Sequence, residues 1–533
     1  MNKNMRKISV ITLALVALVF SGCAKYLDTE PTSSTATMTI LGTTDAAKLA
    51  INGLNRIMIC QYNDFGQGYN GEGTIRLYHG DHMGQDLMVV NRTGFQNTQN
   101  GDYYASNTSA WGRFAWYYYY MLIGNANDII NNIDQAEGLQ ADRDYIKAQA
   151  LCYRAYAYSN LVQLYGRRWS DKNGESPACV LRLVTMGDDN LDRSTSKQVY
   201  AQIYKDLDDA IALFTASGKA NSRTATHVMD LDVAYAIYAR TALTREDWNT
   251  ALTYAKKFTD ANYPLMTVAE YKSGFCNPNE EWIWSLYNVD DETLYYYSYL
   301  AYIGYNSNAG NVRTTPKAIS KHIFDQMDPT DIRRGLFLDP TGYEGKYNTN
   351  TNLASSQKSS NALYAYGFAY SKQDGRVGLY STAYVAAYMQ FKFRCNTAPG
   401  VGHQNLFRRS EMLLIEAEAN YRLNKPDDAQ AALVKLNATS GRFPTYTCTK
   451  TGTDLLNEIK LYRSIELWGE GFNWFDLKRW GDTLSRKAYA DGGNWMTSFA
   501  VTIQPNEKNN WTWTIPKTET DYNKGILSIA NVD

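Results

Sequence analysis

The chain has 533 residues, 44% of them apolar, which is enough to bury a large core in one or two domains and excludes an intrinsically disordered protein. Its 53 Lys plus Arg balance 54 Asp plus Glu to a net charge of −1, so it carries no electrostatic footprint for nucleic acid. The excess is aromatic: 42 Tyr and 12 Trp are more than a core needs, and Tyr joins a stacking face to a hydrogen-bonding tip, which points to a binding surface with carbohydrate among its candidate ligands.

At the N-terminus, Lys3, Arg6 and Lys7 precede an apolar run from Ile8 to Phe20, and Ser21 and Gly22 lead into Cys23. Residues 1–22 therefore read as an export signal, too short to span a membrane as a mature helix. The cysteine directly after Ser-Gly resembles a bacterial lipobox, in which Cys23 is the lipid attachment site, and buried methylene groups would then hold the protein to a membrane. Secretion without lipid is the alternative. Thr29 to Thr39, rich in Thr and Ser, reads as an extended tether within a 23–40 segment, and 41–533 reads as one domain. Cys60, Cys152, Cys179, Cys276, Cys395 and Cys448 are scattered without a C-x-x-C pair, which supports neither a zinc nor a redox site; export permits disulfides, whose pairing the spacing does not give, and most of the six read as buried thiols.

The stretch from Gln61 to Ala110 is a long insertion rich in Gly, Asn, Ser, Thr and Tyr. Gly66, Gly68 and Gly71 form G-x-G-x-x-G, but the preceding Gln61-Tyr62-Asn63-Asp64 is no buried strand, so the motif reads as a flexible loop. His79 and His82, with Asp81 and Asp86, make the one compact His/carboxylate cluster, and the flanking Gly80 and Gly84 argue for a loop with no metal. Tyr103, Tyr104 and Trp111 offer flat faces beside Asn and Ser, the combination that a sugar ring and its hydroxyls require. The run Trp116 to Tyr120 precedes Ile123, Asn127 and Ile130 at helical spacing, so much of it belongs to a core.

Ala148, Leu151, Cys152, Ala155, Leu161 and Val162 recur at helical steps over Tyr145 to Tyr165, with Gly166 as terminator. Asp188, Asn190 and Asp192 mimic the start of a calcium loop, but Arg193 replaces the turn glycine and Val199 the bidentate Glu, which leaves a solvated turn. A second helix is predicted over Lys197 to Phe214. Val233–Thr244 with Trp248–Phe258, and Glu411–Arg422 with Pro426–Leu436, each read as a helix pair in which alanines permit close approach of the tetratricopeptide kind. The pairs are far apart in sequence, which excludes a contiguous solenoid and predicts one helical scaffold carrying long insertions.

Two further insertions, Asn288 to Thr315 and Asp339 to Gly402, share the composition of the first, and loops this long are usually functional. Tyr295, Tyr296 and Tyr297 lie in the former and join Tyr103, Tyr104 and Trp111 as candidate ligand contacts. Trp282 to Tyr287 and Leu294 to Tyr305 are compatible with short strands. No Walker lysine motif, G-x-S-x-G elbow or H-E-x-x-H occurs, so no catalytic residues, metal ligands or cofactor are expected.

Near the end, R-x-x-E-L-x-x-E-G-F-x-x-x-D-L-x-R-W runs from Arg463 to Trp480. Arg463, Glu466 and Glu470 at three- and four-residue steps would share one helix face, Gly471 allows a break, and Asp476 and Arg479 are again helically spaced above Trp474, Leu477 and Trp480. Charges this dense beside tryptophans predict partly buried ion pairs that lock two helices together. Catalysis by Glu466 and Glu470 is the sharper alternative, and it lacks a partner acid, His or metal motif.

Joined to Tyr26-Leu27-Asp28 after Cys23, the segment Lys147 to Gly166, Leu406-Phe407-Arg408-Arg409-Ser410-Glu411 through Ala419, and Ile515-Pro516-Lys517 with Glu519, this stretch resembles the RagB/SusD family of surface glycan-binding lipoproteins. One departure is Arg167-Arg168-Trp169-Ser170 where that family usually carries Pro-Leu, which puts a local strand or turn in doubt. The resemblance implies a mainly α, tetratricopeptide-like fold and lipid anchorage at the outer face of the outer membrane. It also implies a SusC-like TonB-dependent transporter as partner to which captured oligo- or polysaccharide is delivered, without catalysis. A surface-anchored glycoside hydrolase, and a member binding peptide or glycoprotein, are the alternatives. The family's ligand residues vary, so the six aromatic candidates rest on composition and loop placement alone.

Overall fold

The computed structural model describes residues 41–528 apart from 67, 91–95, 186–189, 221–224, 289–296 and 356–359. The export signal, Cys23 and the tether lie outside the described residues, as do Tyr295, Tyr296 and Asp188.

Ten helices form the scaffold: α1 Thr44–Ile59, α2 Ala110–Asn132, α3 Gln140–Tyr165, α4 Ser196–Ala216, α5 Leu231–Thr244, α6 Trp248–Ala255, α7 Arg409–Arg422, α8 Pro426–Val434, α9 Gly452–Glu466 and α10 Asn473–Trp480. The predicted helices and both helix pairs are present, with ends displaced by a few residues. α3 ends where Gly166 turns into extended backbone. A capping box between Thr195 and Gln198 starts α4, and Asp230 accepts the Val233 N–H to start α5.

In space the pairs do form a continuous stack, α2 on α3, α3 on α4, then α5, α6, α7 and α8 in turn. The sequence separation that argued against a contiguous solenoid is bridged by packing, because α6 lies directly against α7 across the insertions between them. Ala239, Ala242, Ala251, Ala255, Ala417, Ala419 and Ala429 are all fully buried and let these backbones approach closely. α3 is the central rod and has no wet face along most of its length. Besides the predicted apolar positions it buries Tyr153, Tyr156 and Tyr158, and Arg154, whose guanidinium lies 2.6 Å from Asp206.

The three insertions knit into one body. Leu87–Val89 from the first pairs antiparallel with Lys317–Ile319, and Ala318 bridges in turn to Met389 from the third. Trp282–Asn288 is a strand, as predicted, and pairs antiparallel with Gly402–Arg408. The Leu294 to Tyr305 run instead contains a short helix, Tyr299–Ile303, started by the Ser298 side chain. At the departure from the family pattern, Trp169–Lys172 is a short helical turn closed by Asn173 in the left-handed region.

The antiparallel register opposes Trp282 to Arg408, which sets Glu281 beside the Arg408 guanidinium at 2.9 Å. Arg408 also contacts Glu466 at 2.6 Å and Glu470 through two hydrogen bonds of 2.7 and 2.8 Å. Arg442 reaches Glu281 at 2.8 Å, Arg333 joins Glu466 to Asp331, and Lys392 reaches Glu470 at 2.8 Å. Every side chain in this lattice is at most 4% exposed, and four cations face four carboxylates. Burial alone would raise Glu466, but Arg442, Arg408 and Arg333 together outweigh it and hold the carboxyl well below its ordinary range.

This corrects the reading of the Arg463 to Trp480 stretch in two respects. Its paired charges are almost wholly buried, and Glu470 is not on the helix of Arg463 and Glu466. α9 stops at Glu466, and Gly469 and Gly471, at φ of 79° and 88°, turn the chain so that Glu470 meets Glu466 on the same arginine. Arg463 faces elsewhere, 2.6 Å from Asp476, which also holds Arg479, itself 2.7 Å from Glu418 of α7. The two charge groups clamp α7, α9 and α10 to the strand pair.

His79 and His82 are not in a loop: Ile75–Asp81 is a buried π-helix packed against the start of α10. A Cβ on Gly80 would lie 2.3 Å from the Gly471 carbonyl oxygen, and Asp81 accepts the Gly471 N–H at 2.7 Å. His79 Nε2 lies 3.1 Å from the Trp111 carbonyl, and burial lowers its pKa to about 4, so it is a neutral core group. Of the glycines in G-x-G-x-x-G, Gly68 and Gly71 serve packing, since a Cβ would fall 2.7 Å from the Tyr302 hydroxyl at the first and 2.1 Å from the Met58 carbonyl oxygen of α1 at the second.

Replacing Arg408 by Met leaves three carboxylates facing an apolar side chain. Chemical denaturation is expected to show a loss of about 3–5 kcal/mol, or no folded protein. Unchanged stability would mean that the lattice is not what closes the fold.

Candidate functional site

The first and second insertions meet over α2 along a continuous run of rings. Tyr297 lies 6.4 Å from Tyr302, Tyr302 is 5.9 Å from Tyr78, and Tyr78 is 4.8 Å from Trp111. Trp111 is 4.6 Å from Tyr69, Tyr69 is 5.7 Å from Phe65, and Phe65 is 5.4 Å from Tyr117. Burial pushes the Tyr69 phenol up to about 12, with Arg113 opposing and Tyr103 adding to the shift, so Tyr103 stands within electrostatic reach.

The interior of this run is core, and two of the predicted contacts belong to it. Tyr104 is 2% exposed, accepts the Trp474 Nε1–H at 2.6 Å and packs edge-on to Trp513. Trp111 is 8% exposed between Tyr69 and Tyr78. Neither presents a free face to a ligand. For Tyr104 the reason is the C-terminal segment: backbone bonds from Thr514 to the Tyr104 carbonyl and from Lys517 to the Asn107 carbonyl lay it over residues 104–107. Tyr103 and Tyr297 are half-buried at the surface, Tyr103 receiving a bond from the Asn97 amide.

Where the ring run reaches the surface, it opens into a cleft of about 600 Å³. Its lining is Asp64 and Phe65 from the first insertion, Arg113, Trp116, Tyr117, Tyr120 and Met121 from α2, and Thr518 and Glu519 from the C-terminal helix Lys517–Tyr522. The α2 residues stand at i, i+3, i+4, i+7 and i+8, so they form one face of the helix. Tyr117 is 46% exposed, and its ring tilts 45° from Phe65, giving two aromatic walls at an angle. Trp116 donates Nε1–H to Glu519 at 3.3 Å, and Tyr120 exchanges hydrogen bonds with the Val180 carbonyl and N–H, which fixes both rings. The Arg113 guanidinium lies 4.6 Å from the centre of the Phe65 ring.

Volume, aromatic walls and a few polar groups at the rim are the requirements of a site that packs against the apolar face of a pyranose and meets its hydroxyls. A second groove of about 540 Å³ between α3 and α4 is lined by Lys147, Arg154, Lys205, Asp206 and Asp209 and contains no aromatic side chain. The cavity under the Arg463 to Arg479 clamp measures about 30 Å³, room for a water molecule or two. Sequence reasoning missed Phe65, Arg113 and Glu519. The spacing of 113, 116, 117, 120 and 121 was a usable signal for a common face, but that this face is left open depends on which distant segments cover α2.

A profile of the SusD family matches residues 238–530, and a second profile, described as starch-binding and associating with the outer membrane, matches residues 25–243. The chain is similar to a SusD-like protein of Formosa agariphila, at 22% identity over 517 residues that cover 90% of this chain and 92% of that protein. Among solved structures it is similar to a SusD-like carbohydrate binding protein from Bacteroides vulgatus, with a TM-score of 0.73 and 26% identity, covering 91% of this chain and 98% of that one. A SusD superfamily protein from Bacteroides thetaiotaomicron shares the fold with a TM-score of 0.69 at 20% identity, covering 91% and 99%.

Because Trp111 is a packing residue, Trp111→Ala is expected to cost about 3–5 kcal/mol in denaturant unfolding. A variant of unchanged stability with weakened ligand binding would return Trp111 to the ligand.

Proposed function

The chain belongs to the SusD family, and from that premise we propose that it is a non-catalytic, surface glycan-binding lipoprotein. It captures oligo- or polysaccharide in the cleft over α2 and delivers it to a partner TonB-dependent transporter of the outer membrane. The observation that carries this reading is the cleft itself, in which an exposed Tyr117 and a half-buried Phe65 make an angled pair of walls beside polar rim groups. Tyr103 and Tyr297, at the surface ends of the same ring run, extend the binding face. Tyr295 and Tyr296 remain part of the proposal on composition alone.

The hydrolase alternative needs two carboxylates placed across a sugar, and Asp64 and Glu519 both line the cleft. Glu519 is already held by the Trp116 indole and by Arg182 at 3.5 Å, an arrangement that suits a fixed rim better than a proton donor. Anchorage rests on the basic, apolar and small-residue pattern that precedes Cys23.

Affinity electrophoresis through gels carrying different polysaccharides tests the site. The wild-type protein is expected to be retarded by at least one of them, and Tyr117→Ala to run at least several-fold more freely; equal retardation of the two would remove the cleft as the site. Incubation with the same glycans should release no shorter chains, and their appearance would overturn the non-catalytic reading. Cys23→Ala should leave the protein in the soluble fraction, whereas continued membrane partition would refute lipidation.

A further inference from the structure

Arg113 is unlike the other cations near the cleft. Arg182 lies 3.5 Å from Glu519, so that carboxylate already has its counter-charge. Arg113 forms no ion pair with any described residue, and its buried Nε has no hydrogen-bond partner among them. Its guanidinium lies over the face of Phe65, which attracts a cation but supplies no acceptor. Asp64 lines the same cleft but is exposed and forms no ion pair with Arg113, so water screens its charge. The unmet demand inside the cleft is therefore for an anion beside two aromatic walls.

Resting on the reading that this cleft holds a glycan, we propose that the glycan is acidic, with a carboxylate or sulfate group engaging the Arg113 guanidinium while a sugar ring packs on Tyr117 and Phe65. A guanidinium meets either oxyanion through two parallel N–H donors, and at a half-buried position the pair is screened less than on an open surface. Arg113 precedes Tyr117 by one helical turn, so the anion and the stacked ring fall on the same side of α2. In that arrangement Arg113 selects among glycans while Tyr117 and Phe65 supply attraction common to all of them.

Calorimetry with polygalacturonate, its methyl-esterified form, a sulfated galactan and its desulfated counterpart, and starch tests this. The wild-type protein is expected to bind at least one acidic polymer about tenfold more tightly than its neutralised counterpart, a ratio corresponding to one charge-assisted contact. Polygalacturonate against its ester reports a carboxylate, and the galactan pair reports a sulfate. Arg113→Gln should abolish the preference by weakening the acidic polymer about tenfold more than the neutral one, and Arg113→Lys should restore part of it; melting curves of both variants establish that they fold. A wild type that binds neutral and acidic partners equally, or an Arg113→Gln protein that keeps the preference, overturns the acidic assignment and leaves the glycan reading standing. Failure of every polymer to bind would count against both.

Discussion

The fold depends on neutralising buried charge around Arg408. Its guanidinium touches Glu281, Glu466 and Glu470, and the surrounding Arg333, Lys392 and Arg442 complete the balance with Asp331. Each group was removed from water at a cost of several kcal/mol, and only the presence of the others offsets it. The members come from the start of one strand, the end of its partner, the end of α9 and the turn after it, the 331–333 segment, the third insertion through Lys392, and the connection from α8 to α9 through Arg442. None of those segments can take its place until the others have, so the lattice fixes the arrangement of pieces that local propensity leaves open.

The binding face inherits its geometry from that lattice. Glu470 is delivered to Arg408 by the turn through Gly469 and Gly471, and Gly471 is the surface on which the π-helix of the first insertion lies, through the Gly80 contact and the Asp81 hydrogen bond. Tyr299 of the second insertion donates its hydroxyl proton to the Gly469 carbonyl of the same turn. Both insertions are thus rooted at one place, and their outer ends bring Phe65 and Tyr297 to the surface. The signature therefore bears on the proposed site only indirectly, as the foundation of the loops that line the cleft.

Much of the scaffold was legible because its helices obey simple periodicity and punctuation, as Ala148 to Val162 with Gly166 illustrates. Glu470 was misplaced because helical spacing continues through Gly469, and nothing local says that this glycine adopts a positive φ. The π-helix at His79 was read as a loop from Gly80 and Gly84, whereas Gly80 is there for a backbone crossing with a residue almost four hundred positions later. Tyr104 and Trp111 have the composition of a ligand loop, but the Trp513 segment from the far end of the chain hides Tyr104, and Tyr69 and Tyr78 enclose Trp111. Arg113 carried a signal in its spacing from Tyr117, but its lack of a counter-charge among the described residues is a property of the folded surroundings.

The central claim is that the cleft over α2 is where a glycan is held. It is tested most directly by a crystal structure of the protein with an oligosaccharide to which it binds in solution. The account predicts a sugar ring packed on Tyr117 and Phe65 with its polar groups toward Arg113; a well-ordered sugar seated instead in the charged groove between α3 and α4, with the cleft empty, would contradict it.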